Sequence, residues 1–411
     1  MEMDRSIRAR FPDDRHVLGP FLGNLPPEIL DVVVQKLGWF RTTFAMAGRA
    51  CREAVERVPS AREVVLTEEE YEQFENVEME LHPGSRRWPL LTATGEGDVE
   101  ALEWLIQLFD AKGLEWRDGS QPFSWFAAGR GQIESLQNLH KNGCRWDGKT
   151  CAEAAWRGDL EMLQWARRNG CPWDERTCWE AAGEGHLEVL QWAHQNGCPW
   201  NESTCGEAAR RGDLEVLKWA RRNGCPWNAR TCWEAAGEGH LEVLQWARRN
   251  GCPWDVGTCA EAAQKGHLEM LQWARRNGCP WNEWTCEEAA RRGDLEMLQW
   301  AHQNGCPWDD RTCLAAAGRG HLEVLQWAHQ NGCPWNAGTC ARAAGGGHLE
   351  VLQWARRNGC PWNARTCNAA AKEGHLEVLQ WAHQNGCPWD ELTLELADPR
   401  CRPYLLEHVC K

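Results

Sequence analysis

A strict period constrains this chain more than any other feature. Gly-Cys recurs with its Cys at positions 144, 171, 198, 225, 252, 279, 306, 333, 360 and 387, always 27 residues apart. A second Cys follows seven residues later, from Cys151 to Cys367. The unit reads T-C-x-E-A-A-x-x-G-(H/D)-L-E-(V/M)-L-Q-W-A-x-x-N-G-C-P-W-(D/N). Self-similarity at a period of roughly 20–50 residues marks a stacked array: one unit cannot bury its apolar face alone, and neighbours bury it for each other. Length alone would divide 411 residues into two or three domains; the period overrides that division.

Each unit carries the punctuation of two short helices. Thr177 with Glu180 fits a T-x-x-E capping box, which predicts that the first helix starts at Thr177. The box is lost at Ala315, Arg342 and Ala369, which predicts weaker starts there. The first helix should stop at Gly185. The second should begin near His186 or its counterparts Asp159, Asp213 and Asp294, Asp being a good N-cap. Within it Leu187, Leu190 and Ala193 share one helical face. Glu188 in its first turn and Arg or His in its last suit the helix dipole. Asn196-Gly197 should end it, with Gly in a left-handed conformation and Pro199 just beyond. The expected fold is all-α, an elongated α-solenoid of about eleven helix pairs.

The 22 Cys and 28 Trp invite a metal or redox reading. Cys171 to Cys178 is C-x6-C, longer than the loops of roughly two to four residues that zinc sites favour. His186 is replaced by Asp in several units and by Gln132 in one. Equivalent positions in stacked helices lie about 8–10 Å apart, beyond the roughly 7 Å a disulfide tolerates between Cα atoms. A Cys171–Cys178 bridge within one unit stays geometrically open, but a reducing compartment disfavours it. The periodic Cys and Trp read as packing: Trp165, Trp192 and Trp219 between second helices, Trp173, Trp200 and Trp227 sealing the turns. No metal, cofactor or catalytic motif stands out, so an enzyme is not expected. Net charge is −14, which disfavours nucleic acid and anionic membranes. Arg167-Arg168 and its repeats then read as a solvated face. The N-terminus has no apolar leader and no stretch is long enough to span a membrane. A monomer in the cytosol is expected, with the nucleus left open.

The repeats resemble the ankyrin family. G-H-L-E-V-L-Q-W-A-x-x-N-G-C-P-W-N at residues 185–201 is similar to the ankyrin stretch G-H-L-E-V-V-x-L-L-L-x-x-G-A-D-V-N. The unit is shorter than the usual ankyrin one, and the missing residues fall where ankyrins carry a hairpin finger, here expected to be a turn. Gly97 and Gly131 lie 34 residues apart, near the ordinary ankyrin length. The resemblance covers residues 89–390, with capping helices expected over 391–411, and it implies a protein-binding face at the start of the first helices. There the sequence varies most, and Trp179, Trp233, Trp284 and Leu314 are the candidate target-binding residues; the alternative is that they extend the Trp packing.

Residues 25–37, LPPEILDVVVQKL, have helical apolar spacing and resemble the F-box. Leu25, Pro26, Glu28, Ile29, Leu30, Val33, Val34 and Leu37 match its pattern in register. Ala47, Arg49, Cys51 and Arg52 match its second part less closely. The resemblance implies that Leu25, Pro26, Ile29, Leu30, Val33, Val34 and Leu37 dock the F-box-binding adaptor subunit of an SCF-type cullin–RING ubiquitin ligase. On this reading residues 1–20 are a flexible N-terminus and 21–58 an F-box-like helical segment. Residues 59–88 are an acidic linker, of which 63–81 hold eight acidic side chains and no basic one. The combination is similar to the F-box and ankyrin arrays of large DNA viruses that infect amoebae. The alternative is a cap on an ankyrin-type scaffold, with no ligase coupling.

Overall fold

The computed structural model describes residues 88–111, 116 and 123–409. The F-box-like segment, with Leu25, Pro26, Ile29, Leu30, Val33, Val34 and Leu37, lies outside the described residues. The described chain is all-helical, with 24 helices and no strand among the described residues. It divides into two compact units between Asp147 and Gly148.

The unit ending at Asp147 holds two helix pairs, Trp88–Glu96 with Val99–Ala111 and Phe123–Arg130 with Ile133–Lys141. Large side chains fill it: Leu90, Leu102, Ile106, Phe123, Leu136 and Leu139 are fully buried. Trp116 packs edge-on against Phe123 at 6.4 Å and donates from Nε1 to Asp110 Oδ1 at 2.8 Å.

The unit from Gly148 onward is a solenoid of nine helix pairs, from Gly148–Arg157 with Leu160–Arg168 to Ala364–Lys372 with Leu376–Gln384, closed by Glu391–Glu395 and Arg402–Val409. Its core uses smaller residues. In one repeat Cys178, Ala181, Ala182, Leu190 and Ala193 are all fully buried. Small residues let the first helices stack closely, and dense packing rather than bulk fills the interior. Where ankyrin units carry a finger, residues 198–201 form only a non-helical link, as the short period predicts.

The first helices start one turn earlier than the T-x-x-E pattern predicts. In the repeat at 175–183 the N-cap is Asp174, whose side chain accepts from Arg176 N–H at 3.0 Å. Thr177 is the third helical residue and is buried. The reciprocal cap, where present, runs from Asx to Thr: Asp390 N–H donates to Thr393 Oγ1 at 3.1 Å. Helices 310–319, 337–345 and 364–372 begin on Asp309, Asn336 and Asn363, so they have the same start as their neighbours and not a weaker one. The misreading has a simple cause. Asp or Asn after Pro-Trp accepts from the N–H of the second helical residue, so the helix starts there before Thr is reached.

Second helices start and stop where the sequence places them. Asp159, Asp213 and Asp294 accept from Met162, Val216 and Met297 N–H, each at 2.9 Å. Gly197 ends its helix at φ +82°, a conformation that favours glycine.

Candidate partner-binding face

The first helices stack directly on one another, and their exposed edge is the face along which the repeats differ. Trp284 stands on it with 47% of its surface exposed. Trp179, Trp233 and Leu314 are half-buried there. Trp233 lies across the junction to the next repeat and donates from Nε1 to Asp255 Oδ1 at 2.5 Å. An ideal Cβ built on Gly338 would come within 2.9 Å of Leu314 Cδ2, so that leucine also covers its successor. The four candidates therefore fall in one row, and Trp284 projects furthest.

Charge on this face is paired along and between repeats. Arg230 bonds Glu234 at 3.0 Å in its own helix and Glu207 at 3.3 Å in the preceding one. Arg211 reaches back to Glu184 at 3.3 Å, and Lys265 to Glu238 at 3.6 Å. Glu261 is less compensated. Burial raises its carboxyl above the ordinary range, and Glu234 and Glu288 add to this against the opposing Lys265. In the later repeats the Glu of this column gives way to Ala315, Arg342 and Ala369, so the face changes character along its length.

The opposite edge is constant. At each junction a Cys-Pro-Trp indole lies edge-on to the next repeat's second-helix Trp: Trp173 to Trp192 at 5.8 Å and Trp227 to Trp246 at 5.9 Å. Above it sits the first Arg of an Arg-Arg pair or its His equivalent. Arg167 and Arg248 lie 4.0 and 3.9 Å from the ring centroids of Trp173 and Trp254, and His194 stacks on Trp200 at 3.8 Å. Stacked guanidinium and imidazole are interchangeable here, which explains the alternation. Half of the apparent basic stripe is thus committed to packing, while Arg168, Arg222 and Arg249 remain exposed. The C-terminal helices imitate a further repeat: Tyr404 stands edge-on to His383 at 5.9 Å, where His194 meets Trp219 at 5.8 Å.

The His and Cys positions have structural partners that spacing within one repeat does not reveal. His186 makes no side-chain cap for its own helix. Its Nε2 instead meets Trp156 O, 30 residues back, at 3.1 Å. His240, His267, His321 and His375 do the same, and Gln132 donates to Gly95 O at 3.4 Å. Gly212 makes room for this: at φ +82° its ideal Cβ would stand 2.5 Å from His240 Nδ1. Asp at the same site caps its helix instead. The Cys198 thiol donates to Asp174 O at 3.4 Å, closing the exit of a second helix onto the start of its own first helix. The bond recurs in every later repeat, as at Cys225 to Asn201 O and Cys252 to Asn228 O. Cys198 also pairs with the Cys178 thiol, and that bond together with burial pushes its pKa far above the ordinary range. Held in this way, the Cys198 thiol is a poor nucleophile and a poor metal ligand. The thiol beside Cys178 is Cys198, and the Cys171–Cys178 bridge that geometry left open is not formed. All described cysteines are unbridged and buried. Among the described residues no group of three or more His, Cys, Asp or Glu is arranged to hold a metal ion, and no helix is long and apolar enough to cross a membrane.

A family model described as ankyrin repeats (many copies) matches residues 178–221 and 286–329. Ankyrin repeats are thus found over these two stretches. Both matched stretches run from the second Cys of one repeat into the second helix of the next, so the match and the stacked pairs coincide. No curated protein matches the sequence. Among solved structures, the pentatricopeptide repeat protein PPR10 in complex with an 18-nt psaJ RNA element is similar at 16% identity and a TM-score of 0.41, over 100% of this chain and 72% of that one. A second structure of that protein gives the same values. A likeness at that level carries no inference about RNA.

Proposed function

We propose that this chain is a non-catalytic adaptor: its ankyrin repeats hold a target protein, and residues 21–58 connect it to a cullin–RING ubiquitin ligase. The observation that carries the first half is Trp284, a large aromatic left 47% exposed on the face where repeats differ. Exposed aromatics are the side chains that anchor protein interfaces. Around it Trp179, Trp233 and Leu314 offer the edges left uncovered, and Arg230, Glu261 and their neighbours supply charge. The second half rests on the F-box resemblance. Leu25, Pro26, Ile29, Leu30, Val33, Val34 and Leu37 would place an apolar helix face against the ligase's small adaptor subunit. The net charge of −14 supports a protein partner over a nucleic acid.

Co-purification with the F-box-binding adaptor subunit tests the ligase half. Wild type should bind, and Leu30→Asp with Val33→Asp should abolish binding while the repeats stay folded. A folded wild-type chain that does not bind would leave an ankyrin-type scaffold without ligase coupling.

A further inference from the structure

We infer that two variable positions on the first helices form matched pairs across each junction, and that the match restricts which repeat can sit next to which. One position follows the second Cys of a repeat. The other precedes the Thr of the next repeat, 24 residues later.

Three junctions show the contact directly. The ideal Cβ of Gly257 would lie 2.7 Å from Trp233 Cε2, that of Gly338 2.9 Å from Leu314 Cδ2, and that of Gly206 3.9 Å from Arg230 Cδ. Large stands against small each time, in either order. The sequence continues the rule. Trp179 faces Ser203, Ala152 faces Arg176, Ala260 faces Trp284 and Ala341 faces Arg365. One junction sets two long chains together, Glu287 and Arg311, and these carry opposite charge. Asn368 and Leu392, at the C-terminal helices, are intermediate on both sides. No junction puts bulk against bulk of like charge, and none puts small against small.

The two glycines argue against chance. Gly257 and Gly338 are the second residues of helices Val256–Lys265 and Ala337–Gly345, where other repeats carry Arg, Ser or Trp and no left-handed φ demands glycine. Space accounts for them: Trp233 fills the volume a side chain on Gly257 would take, and Leu314 shares that volume at Gly338 with the capping Asn336, whose Oδ1 would lie 2.8 Å from the Cβ. Trp233 is not free to swing away, because Asp255, which receives its Nε1–H at 2.5 Å, also caps the helix containing Gly257, accepting from Gly257 N–H at 2.9 Å.

Such pairing answers a hazard of near-identical repeats. Constant residues make every repeat an acceptable neighbour for every other, within one chain or between chains, and domain exchange or register skips follow from that. Under the pairing rule the repeat carrying Trp233 cannot skip to the one carrying Trp284, because two indoles would meet. The rule also explains why Trp284 projects: nothing larger than Ala260 lies opposite it.

A double-mutant cycle in the full chain tests the pairing. Gly257→Arg should lower the urea midpoint sharply, and Trp233→Gly should lower it by loss of packing. The double variant recreates the Gly206–Arg230 pair and should recover, with a folding constant at least tenfold above the product of the single effects. Independent, multiplicative effects would overturn the inference. If Gly257→Arg does not fold, the reverse exchange decides. Starting from Arg230→Gly, adding Gly206→Trp should raise the midpoint by recreating the Trp233–Gly257 pair, whereas Gly206→Trp facing native Arg230 should lower it. The same response in both backgrounds would sink the pairing.

Discussion

Along the second helices of residues 148–411 one stack recurs at junction after junction: a guanidinium or imidazole, a Cys-Pro-Trp indole and the next repeat's Trp. Along the first helices the exposed positions change from repeat to repeat, and Trp284 is the most exposed of the four candidates. The difference teaches where each job is done. The constant edge can be copied because it meets only other copies of itself. The variable edge meets either a particular neighbour or something outside the chain.

The largest expected effect contrasts the two. Leu244 is fully buried in a second helix, and Leu244→Ala should cost about 3 kcal/mol in urea unfolding. Trp284→Ala should change stability by less than about 0.5 kcal/mol, yet weaken target capture. Comparable losses of stability would make Trp284 part of the packing and erase the contrast. Next comes the helix start: Asn228→Ala should cost about 1 kcal/mol, and Thr231→Val, at the position the T-x-x-E pattern names as the cap, should cost less. The reverse order would restore the sequence-based helix start.

Two smaller effects depend on pH. Burial and the neighbouring Glu234 and Glu288 raise Glu261, so its folded state holds a proton more tightly than the unfolded chain. Its contribution to stability is complete below the unfolded value of 4.5 and is lost as pH rises through the folded one. Glu261→Gln should therefore raise the neutral-pH midpoint and lose that advantage in acid; the same gain at both pH values would mean a steric cause. His348 has the opposite sense. Burial lowers it, and His321 and His375 add to this against a backbone hydrogen bond to Gly318. Its contribution is present above the unfolded value of 6.5 and is lost as pH falls through the folded one. His348→Gln, which copies the natural Gln132 contact to Gly95 O, should flatten part of the acid slope seen by thermal unfolding.

Much of the solenoid was legible because its signals are local. Gly197 and Asp213 act within their own helix, and a 27-residue period announces stacking. The first-helix start was misplaced because Thr177 with Glu180 satisfies a local pattern that Asp174 pre-empts. Other features lie across helices or junctions. His186 reaches Trp156 O, Cys198 reaches Asp174 O and Trp233 covers Gly257. Repeats aligned position by position hide such partners, since each pairs one column with a different column. On the candidate partner-binding face the sequence proposed Trp179, Trp233, Trp284 and Leu314 as equals; exposure, which sequence does not carry, ranks them.

The buried thiols have a practical consequence. Each regular repeat brings two cysteines into its interior, one set per 27 residues from Cys151 to Cys387. A thiol reagent can reach these buried cysteines only where a repeat has opened, so the order in which they become labelled would record, repeat by repeat, which part of the array breathes first.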